Sequence, residues 1–177
     1  IQLDTYDQLS ELAEVNVAGD VVIDEDYRTA EITVKLYYTA NSSESTNYLT
    51  VMMLQDSIWG YQSGGDYNPA QGTEENYCQM HVLRDIITQT WGEPVSPTTE
   101  GTYLVKKFIY NIPEVIGSPN GVEVDLNNIH FIAFVSERYP ETPPTYPILN
   151  ANILNDKDDE DNDDGDDAPA WIKAVRE

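Results

Sequence analysis

The chain has 177 residues, the size of one domain with or without short appendages, and its apolar content of 40% is enough for a hydrophobic core. Its formal net charge is −23, from 32 acidic and nine basic residues. This charge excludes nucleic acids as partners, because their binding depends on Lys and Arg at the phosphates. It favours cations and basic partners instead. No apolar run reaches the roughly 18 residues of a membrane-spanning helix, so no transmembrane span is predicted.

The first predicted elements are one or two helical turns at 7–14 and strands at 20–24 and 31–38. One face of the second strand is apolar throughout: Ile32, Val34, Leu36 and Tyr38. An apolar strand at 48–55 follows the polar turn region 41–46. We therefore expect an antiparallel hairpin between strands 31–38 and 48–55, closed by a long polar loop.

The segment 57–62 either continues the strand at 48–55 or forms another one, and a loop rich in Gly, Asn and Glu follows at 64–76. The segment 77–90 fits a strand or a helix by periodicity, and we favour a strand that bends toward Trp91 and Gly92. The segment 102–112 alternates clearly. Two adjacent lysines, Lys106 and Lys107, occupy both of its faces, which indicates a solvated face or a sheet edge.

The strongest strand pattern lies at 128–137, and a final strand is predicted at 148–153. A turn at 117–121 precedes the first of them, and the proline-rich stretch 140–147 predicts an extended connector between the two. Short strands separated by turns predict an all-β fold, an antiparallel β-sandwich of jelly-roll or immunoglobulin-like type, with short helical pieces at the termini.

We divide the chain into a single β-sandwich domain at 1–155, an acidic low-complexity segment at 156–167, and a tail or short helix at 168–177. The acidic segment contains part of a calcium-loop pattern, with oxygen ligands at alternate positions before and after a glycine. Its candidate Ca²⁺ ligands are Glu160, Asn162, Asp164 and Asp166. Trp171 stands where an EF-hand needs a glutamate, so the alternatives are a weak Ca²⁺ site and a solvated acidic tail.

Aromatic side chains surround the Gly-rich loop and are candidates for a surface that stacks on sugars or peptides. The candidate ligand-binding residues are Trp59, Tyr61, Tyr67, Tyr77, His81 and Arg84. The alternative is that these aromatic rings fill one end of the sandwich.

No catalytic constellation is found in the sequence, and we predict that the chain is not an enzyme. In a strand, His81 and Asp85 would share a face with Leu83 between them, and a His–Asp pair could orient the imidazole for acid–base chemistry, but no nucleophile elbow accompanies them. The alternative is a hydrogen-bonded polar group that ties a loop to the sheet. A zinc site from Cys78, His81 and His130 would need ligands from separate strands, and no spacing supports it. We therefore predict no cofactor apart from the possible Ca²⁺.

The segment 77–84 (Tyr-Cys-Gln-Met-His-Val-Leu-Arg), followed by Thr-Trp-Gly-Glu-Pro at 90–94, resembles the signature of the Omp28-related outer membrane proteins of Bacteroidetes-type bacteria. That signature reads Tyr-x-His-x-His-Val-Leu-Arg, and here its first histidine is replaced. The stretches 54–58, 127–135 and 148–151 resemble further family strands, so the resemblance covers about residues 30–155 in consistent order.

The resemblance implies a lipoprotein of the cell envelope, at the outer membrane, on the cell surface or in the periplasm, with a β-sandwich C-terminal domain. Membrane attachment would then rest on a lipid anchor outside this chain. Family members often carry a thioredoxin-like region with Cys-x-x-Cys, but Cys78 is the single cysteine here and no redox activity is carried over. The implied function is binding or adhesion to a protein or glycan. The alternatives are a structural envelope domain without a ligand and a weak Ca²⁺-binding module.

Overall fold

The structure is a computed structural model that describes residues 12–138 and 145–156, with the last two of these described by their backbone only. The predicted C-terminal helical piece, residues 7–11 of the N-terminal one, most of the proline-rich connector and residues 157–167 of the acidic segment, with its Ca²⁺ candidates, lie outside these residues. Residues 12–14, the rest of the predicted N-terminal piece, are not helical. Within them, the helices are two single turns of 3₁₀ type, at Gly65–Tyr67 and Leu126–Asn128. Neither has the length or the apolar character required to cross a membrane.

The described residues form twelve strands, which confirms the all-β prediction. In chain order they are β1 Val15–Asp24, β2 Thr29–Tyr38, β3 Asn47–Gln55, β4 Ile58–Gly60, β5 Tyr77–Gln79, β6 Val82–Ile86, β7 Glu93–Val95, β8 Tyr103–Asn111, β9 Val115–Ile116, β10 Val122–Glu123, β11 Ile129–Ser136 and β12 Ile148–Asp156.

Eight of these strands form one continuous sheet in the order β6–β3–β11–β12–β1–β2–β8, with β7 beside β3. All pairings in it are antiparallel except the short one between β1 and β12, which is parallel. The strands β9–β10 and β4–β5 form two separate hairpins. The predicted turn at 117–121 connects β9 to β10.

The core lies between the two halves of this sheet. Alternate side chains of β1 and β2 on one side, and of β3 and β11 on the other, are fully or almost fully buried and belong to one hydrophobic cluster. Its largest members with less than 2% exposure include Tyr38, Phe131, Ile32, Leu36, Leu49 and Met53. The sheet is thus arranged in two layers around a shared interior, as in the predicted sandwich.

The predicted hairpin between the second and third strands is wrong. β2 pairs with β1 and β8, whereas β3 pairs with β11, β6 and β7. The connecting loop bonds to distant loops instead of closing a tight turn: the amide of Thr39 donates to Glu14 O (2.8 Å) and that of Ser42 to Thr98 O (2.9 Å). The chain therefore crosses from one half of the sheet to the other at this point.

β12 joins the two halves. It is antiparallel to β11, and only Asp20 and Val21 of β1 pair with it. Two of its side chains extend this short contact, because the amides of Asn150 and Asn152 donate to Val15 O and Val17 O of β1, both at 2.9 Å. Side-chain amides thus replace the main-chain ladder where the two strands diverge.

β8 closes one end of the sheet, which confirms the edge indicated by its two lysines. Its residues alternate strictly between exposed and half-buried. Lysines on an edge strand discourage pairing with another chain, because the unpaired main-chain groups are flanked by charge.

Candidate functional site

The most prominent surface feature is the segment 57–80, which we call the aromatic loop. It contains the small β4–β5 hairpin and the 3₁₀ turn, and it is held by its own hydrogen bonds. Glu74 is central: its amide donates to Asp66 Oδ1 (2.7 Å), its carbonyl accepts from the amide of Gln62 (2.9 Å), and its carboxylate accepts from the Tyr61 hydroxyl. The loop is therefore a structured unit.

Three of the four predicted aromatic candidates are exposed on this loop: Trp59, Tyr61 and Tyr67, the last of them 94% exposed. Tyr77 differs, because its half-buried hydroxyl donates to Gln71 Oε1 (2.5 Å) and accepts from Asn68 Nδ2 (3.2 Å). Its ring also packs over Gly65, where a Cβ would lie 2.8 Å from Tyr77 Cδ2. Tyr77 thus supports the loop that displays the other three.

Arg84 forms intramolecular hydrogen bonds. Its guanidinium donates to Gln55 Oε1, to Glu123 O (3.2 Å) and to Val122 O (2.7 Å). Burial lowers the pKa of this side chain. The arrangement fixes the β9–β10 hairpin against the end of β3, and the ligand-binding role predicted for Arg84 stays a prediction.

His81 and Asp85 do not share the face that a regular strand would give them, because β6 begins after His81 and contains a β-bulge. Leu54 pairs with Leu83 but the preceding Met53 pairs with Asp85, so Arg84 is the extra residue of β6. A bulge exchanges the faces on which side chains lie. The Asp85 carboxylate accepts from the hydroxyl of Tyr110 on β8 at 2.6 Å. Burial and this hydrogen bond together raise the pKa of Tyr110.

His81 lies between β5 and β6 in a left-handed conformation, with φ of 55°. Its partner is Asp56, which directly follows β3: the His81 amide donates to Asp56 Oδ1 at 2.5 Å, and His81 Nδ1 lies 3.0 Å from the same oxygen. His130, the second residue of β11, places Nδ1 3.9 Å from Asp56 Oδ2. The two imidazole rings meet edge to face, with centroids 5.4 Å apart.

These three side chains, which we call the Asp–His–His cluster, offer ligand atoms that all lie within 4.8 Å of one another. From the sequence, the two histidines are candidate ligands only together with Cys78, a set that no spacing supports. The structure brings the histidines together at Asp56, which no sequence motif indicated. The available signal was weak: the chain has only two histidines, and each lies near the start of a predicted strand.

Comparison with known proteins supplies the family. A search of curated proteins gives no significant match. Among solved structures, HBP35 of Porphyromonas gingivalis is similar with a TM-score of 0.59 and 16% identity over 89% of this chain and 45% of that one. The chain therefore spans less than half the length of that protein. A domain of the outer membrane lipoprotein Omp28 from Porphyromonas gingivalis gives a TM-score of 0.48 and 16% identity, over 81% of this chain and 98% of that one.

The likeness to HBP35 supports the fold alone, because the identity is low. The sequence match is more specific: the model of the family described as outer membrane protein Omp28 covers residues 2–141, which is most of the chain. This agrees with the resemblance read from 77–84 and its neighbouring segments. The chain belongs to the Omp28 family of outer membrane proteins and is a protein of the cell envelope.

Proposed function

We propose that this domain is a non-enzymatic binding module of the cell envelope, which contacts a protein or glycan through the aromatic loop. One observation supports it above the others: Trp59, Tyr61 and Tyr67 are solvent-exposed on a loop that is itself well structured. Apolar surface that is gathered in one place on a protein marks an interaction site more often than single exposed side chains do, and three exposed rings of this chain belong to one loop. Trp and Tyr also contribute most to binding energy where they do occur in interfaces.

Order within the loop makes it suitable for binding. Hydrogen bonds from Glu74 and the packing of Tyr77 on Gly65 hold the backbone before any partner arrives. A preorganised surface loses less conformational entropy on association, and this raises the affinity that a given contact area supplies. The net charge of −23 favours partners with a basic or neutral contact face.

The absence of catalysis is part of the proposal. The sequence has no nucleophile elbow and no phosphate-binding loop, and the bulge at Arg84 separates Asp85 from His81. We also propose that the domain is attached to the membrane through a lipid anchor outside this chain.

The test is a binding screen with two arms, a glycan array and an array of basic extracellular proteins, both probed with the full chain. We expect at least one arm to give binding that Trp59→Ala or Tyr67→Ala weakens about 30-fold, since an aromatic hot spot contributes about 2 kcal/mol or more. Loss of the ring removes stacking area while the loop's hydrogen bonds remain.

Matched controls come from the same residue types elsewhere. Tyr27 is 81% exposed in the turn between β1 and β2, and Trp91 lies exposed near the opposite end of β3, stacked on Tyr146. Tyr27→Ala and Trp91→Ala should leave binding unchanged. The proposal is refuted if the control variants weaken binding as much as Trp59→Ala and Tyr67→Ala do. It is also refuted if the wild-type protein binds to neither array.

A further inference from the structure

Both histidines of the chain converge on one carboxylate. The sequence has only two histidines, and the fold brings His81 and His130, which are 49 positions apart, to opposite oxygens of Asp56. We propose that Asp56, His81 and His130 form a binding site for one Zn²⁺ ion. This inference is independent of the aromatic surface, and it departs from the expectation that the chain holds no metal apart from Ca²⁺.

The donor set and its spacing suit zinc. Imidazole nitrogen and carboxylate oxygen bind Zn²⁺ at about 2.0–2.2 Å, so two ligands of a tetrahedral ion lie about 3.3–3.5 Å apart. The separations from Asp56 of 3.0 Å for His81 Nδ1 and 3.9 Å for His130 Nδ1 lie on either side of this value. The longer one exceeds hydrogen-bond range, so His130 Nδ1 and Asp56 Oδ2 lie close together without a direct hydrogen bond between them.

The backbone fixes two of the three ligands. Ser57 and His81 both have left-handed conformations, with φ of 61° and 55°, which are uncommon for residues other than glycine. The His81 amide donates to the Asp56 carboxylate and holds the two residues together. Strained backbone of this kind persists where surrounding structure enforces it, and it is concentrated at functional sites.

The third ligand is fixed by sheet register. His130 pairs with Leu54, two residues before Asp56, in the antiparallel ladder of β11 and β3. Residues two apart on a strand lie on the same face, so His130 and Asp56 are diagonal neighbours. The β3–β11 ladder therefore brings Asp56 and His130 together, and the corner after β5 places His81 beside them.

Exposure indicates how the ion would be held. The side chains of Asp56 and His130 are 24% and 22% exposed, whereas that of His81 is 69% exposed. Three protein ligands with one side toward solvent leave a fourth position for water or for a donor atom from a partner. The strongly negative chain also raises the local concentration of cations.

The site lies where three segments meet: the end of β3, the start of β11 and the end of the aromatic loop. Bound Zn²⁺ would attach that loop to the sheet. Since a ligand that binds only the folded state stabilises it in proportion to its affinity, Zn²⁺ should raise the melting temperature.

The experiment is calorimetric titration of Zn²⁺ alone into the full chain at about pH 7.5, since metal binding to histidine competes with protons and weakens at lower pH. We expect one ion per chain and a raised melting temperature. His81→Asn and His130→Ala should each weaken the affinity at least tenfold, because loss of even an outer-shell partner costs about 10–100-fold. Asparagine is chosen for position 81 because it tolerates the left-handed conformation.

Two controls separate this site from the acidic segment and from misfolding. The double variant Asp164→Asn, Asp166→Asn should keep the affinity of the wild type. Histidine side-chain nitrogen resonances should shift on Zn²⁺ addition in the wild type, and circular dichroism without metal should match in all variants. The proposal is overturned if the wild type does not bind one Zn²⁺ ion per chain. It is also overturned if the affinity for Zn²⁺ is unchanged in His81→Asn but lower in the acidic-segment variant.

Discussion

Gly19 lies where β1 is tightly packed between its two neighbours in the sheet, β2 and β12. It lies within β1, and a Cβ there would lie 2.2 Å from the carbonyl oxygen of Thr33 on β2 and 3.0 Å from Leu154 Cδ2 on β12. The first neighbour is backbone and cannot move without shifting the strand. A side chain at this position is therefore incompatible with the present spacing of β1, β2 and β12.

We expect Gly19→Ala to lower the free energy of unfolding by about 1–3 kcal/mol, the usual cost of overpacking. Gly60→Ala is the matched control, because no heavy atom lies within 4 Å of its Cβ position, and its effect should stay within about 0.5 kcal/mol. Urea denaturation measures both. Equal midpoints for the two variants would show that β1 and β2 separate without cost.

The Asp–His–His cluster shows what residue patterns leave open. The sequence indicates His81 as a candidate site residue and places His130 within a strand. It does not indicate Asp56, because the contact of Asp56 with the two histidines depends on the β3–β11 register and on a corner after β5. Alternation specifies which face a side chain occupies. It does not specify which strand lies beside it.

At the scale of elements, regular alternation was sufficient to locate β2, β8 and β11 within two residues of their observed bounds. Alternation did not predict which strands pair with each other, as the incorrect hairpin between β2 and β3 shows. Nearest neighbours in sequence often pair, but here the loop 39–46 bonds to other loops and leads the chain into the other layer. The sequence also does not predict the β-bulge at Arg84, since there is no glycine or proline at this position to indicate one.

Two arginines fasten the small β9–β10 hairpin from both sides. Arg28 donates to the carbonyls of Ile112, Pro113 and Val124, and Arg84 donates to those of Val122 and Glu123. The hairpin itself has only two paired positions on each strand. Its attachment therefore depends on side chains more than on its own ladder.

Removing either arginine should release this hairpin while the main sheet stays folded. We expect Arg28→Met and Arg84→Met to speed amide hydrogen exchange at 115–124 about tenfold or more, because charge-assisted hydrogen bonds contribute about 1.5–3 kcal/mol. Lys107→Met on the edge strand β8 is the control for loss of one positive charge. If neither arginine variant changes the exchange rates at 115–124, Arg28 and Arg84 do not hold the β9–β10 hairpin in place.

The charge of the whole molecule also has a measurable effect. Residues 1–155 alone carry 22 acidic and six basic side chains, so repulsion is spread over the domain and not confined to the acidic segment. Like charges held together in a folded chain destabilise it, and salt screens them.

Raising NaCl from about 0.01 to about 0.5 M shortens the screening length severalfold and should raise the melting temperature by several degrees. KCl at equal ionic strength should act alike, which separates screening from binding of a particular ion. A melting temperature that is flat or falls with salt would mean that favourable ion pairs, such as Lys35 with Asp20, outweigh the repulsion.

The position of β12 bears on when the protein can fold. This strand lies between β11 and β1, and its amide side chains reach residues 135 positions earlier in the chain. Until residue 156 has been synthesised, β11 and β1 each have one unpaired edge, and the hydrophobic core is not covered on that side. Such long-range pairing delays folding. For a protein of the cell envelope, which is exported after synthesis, this late closure of the sheet lengthens the time in which the nascent polypeptide has not yet folded.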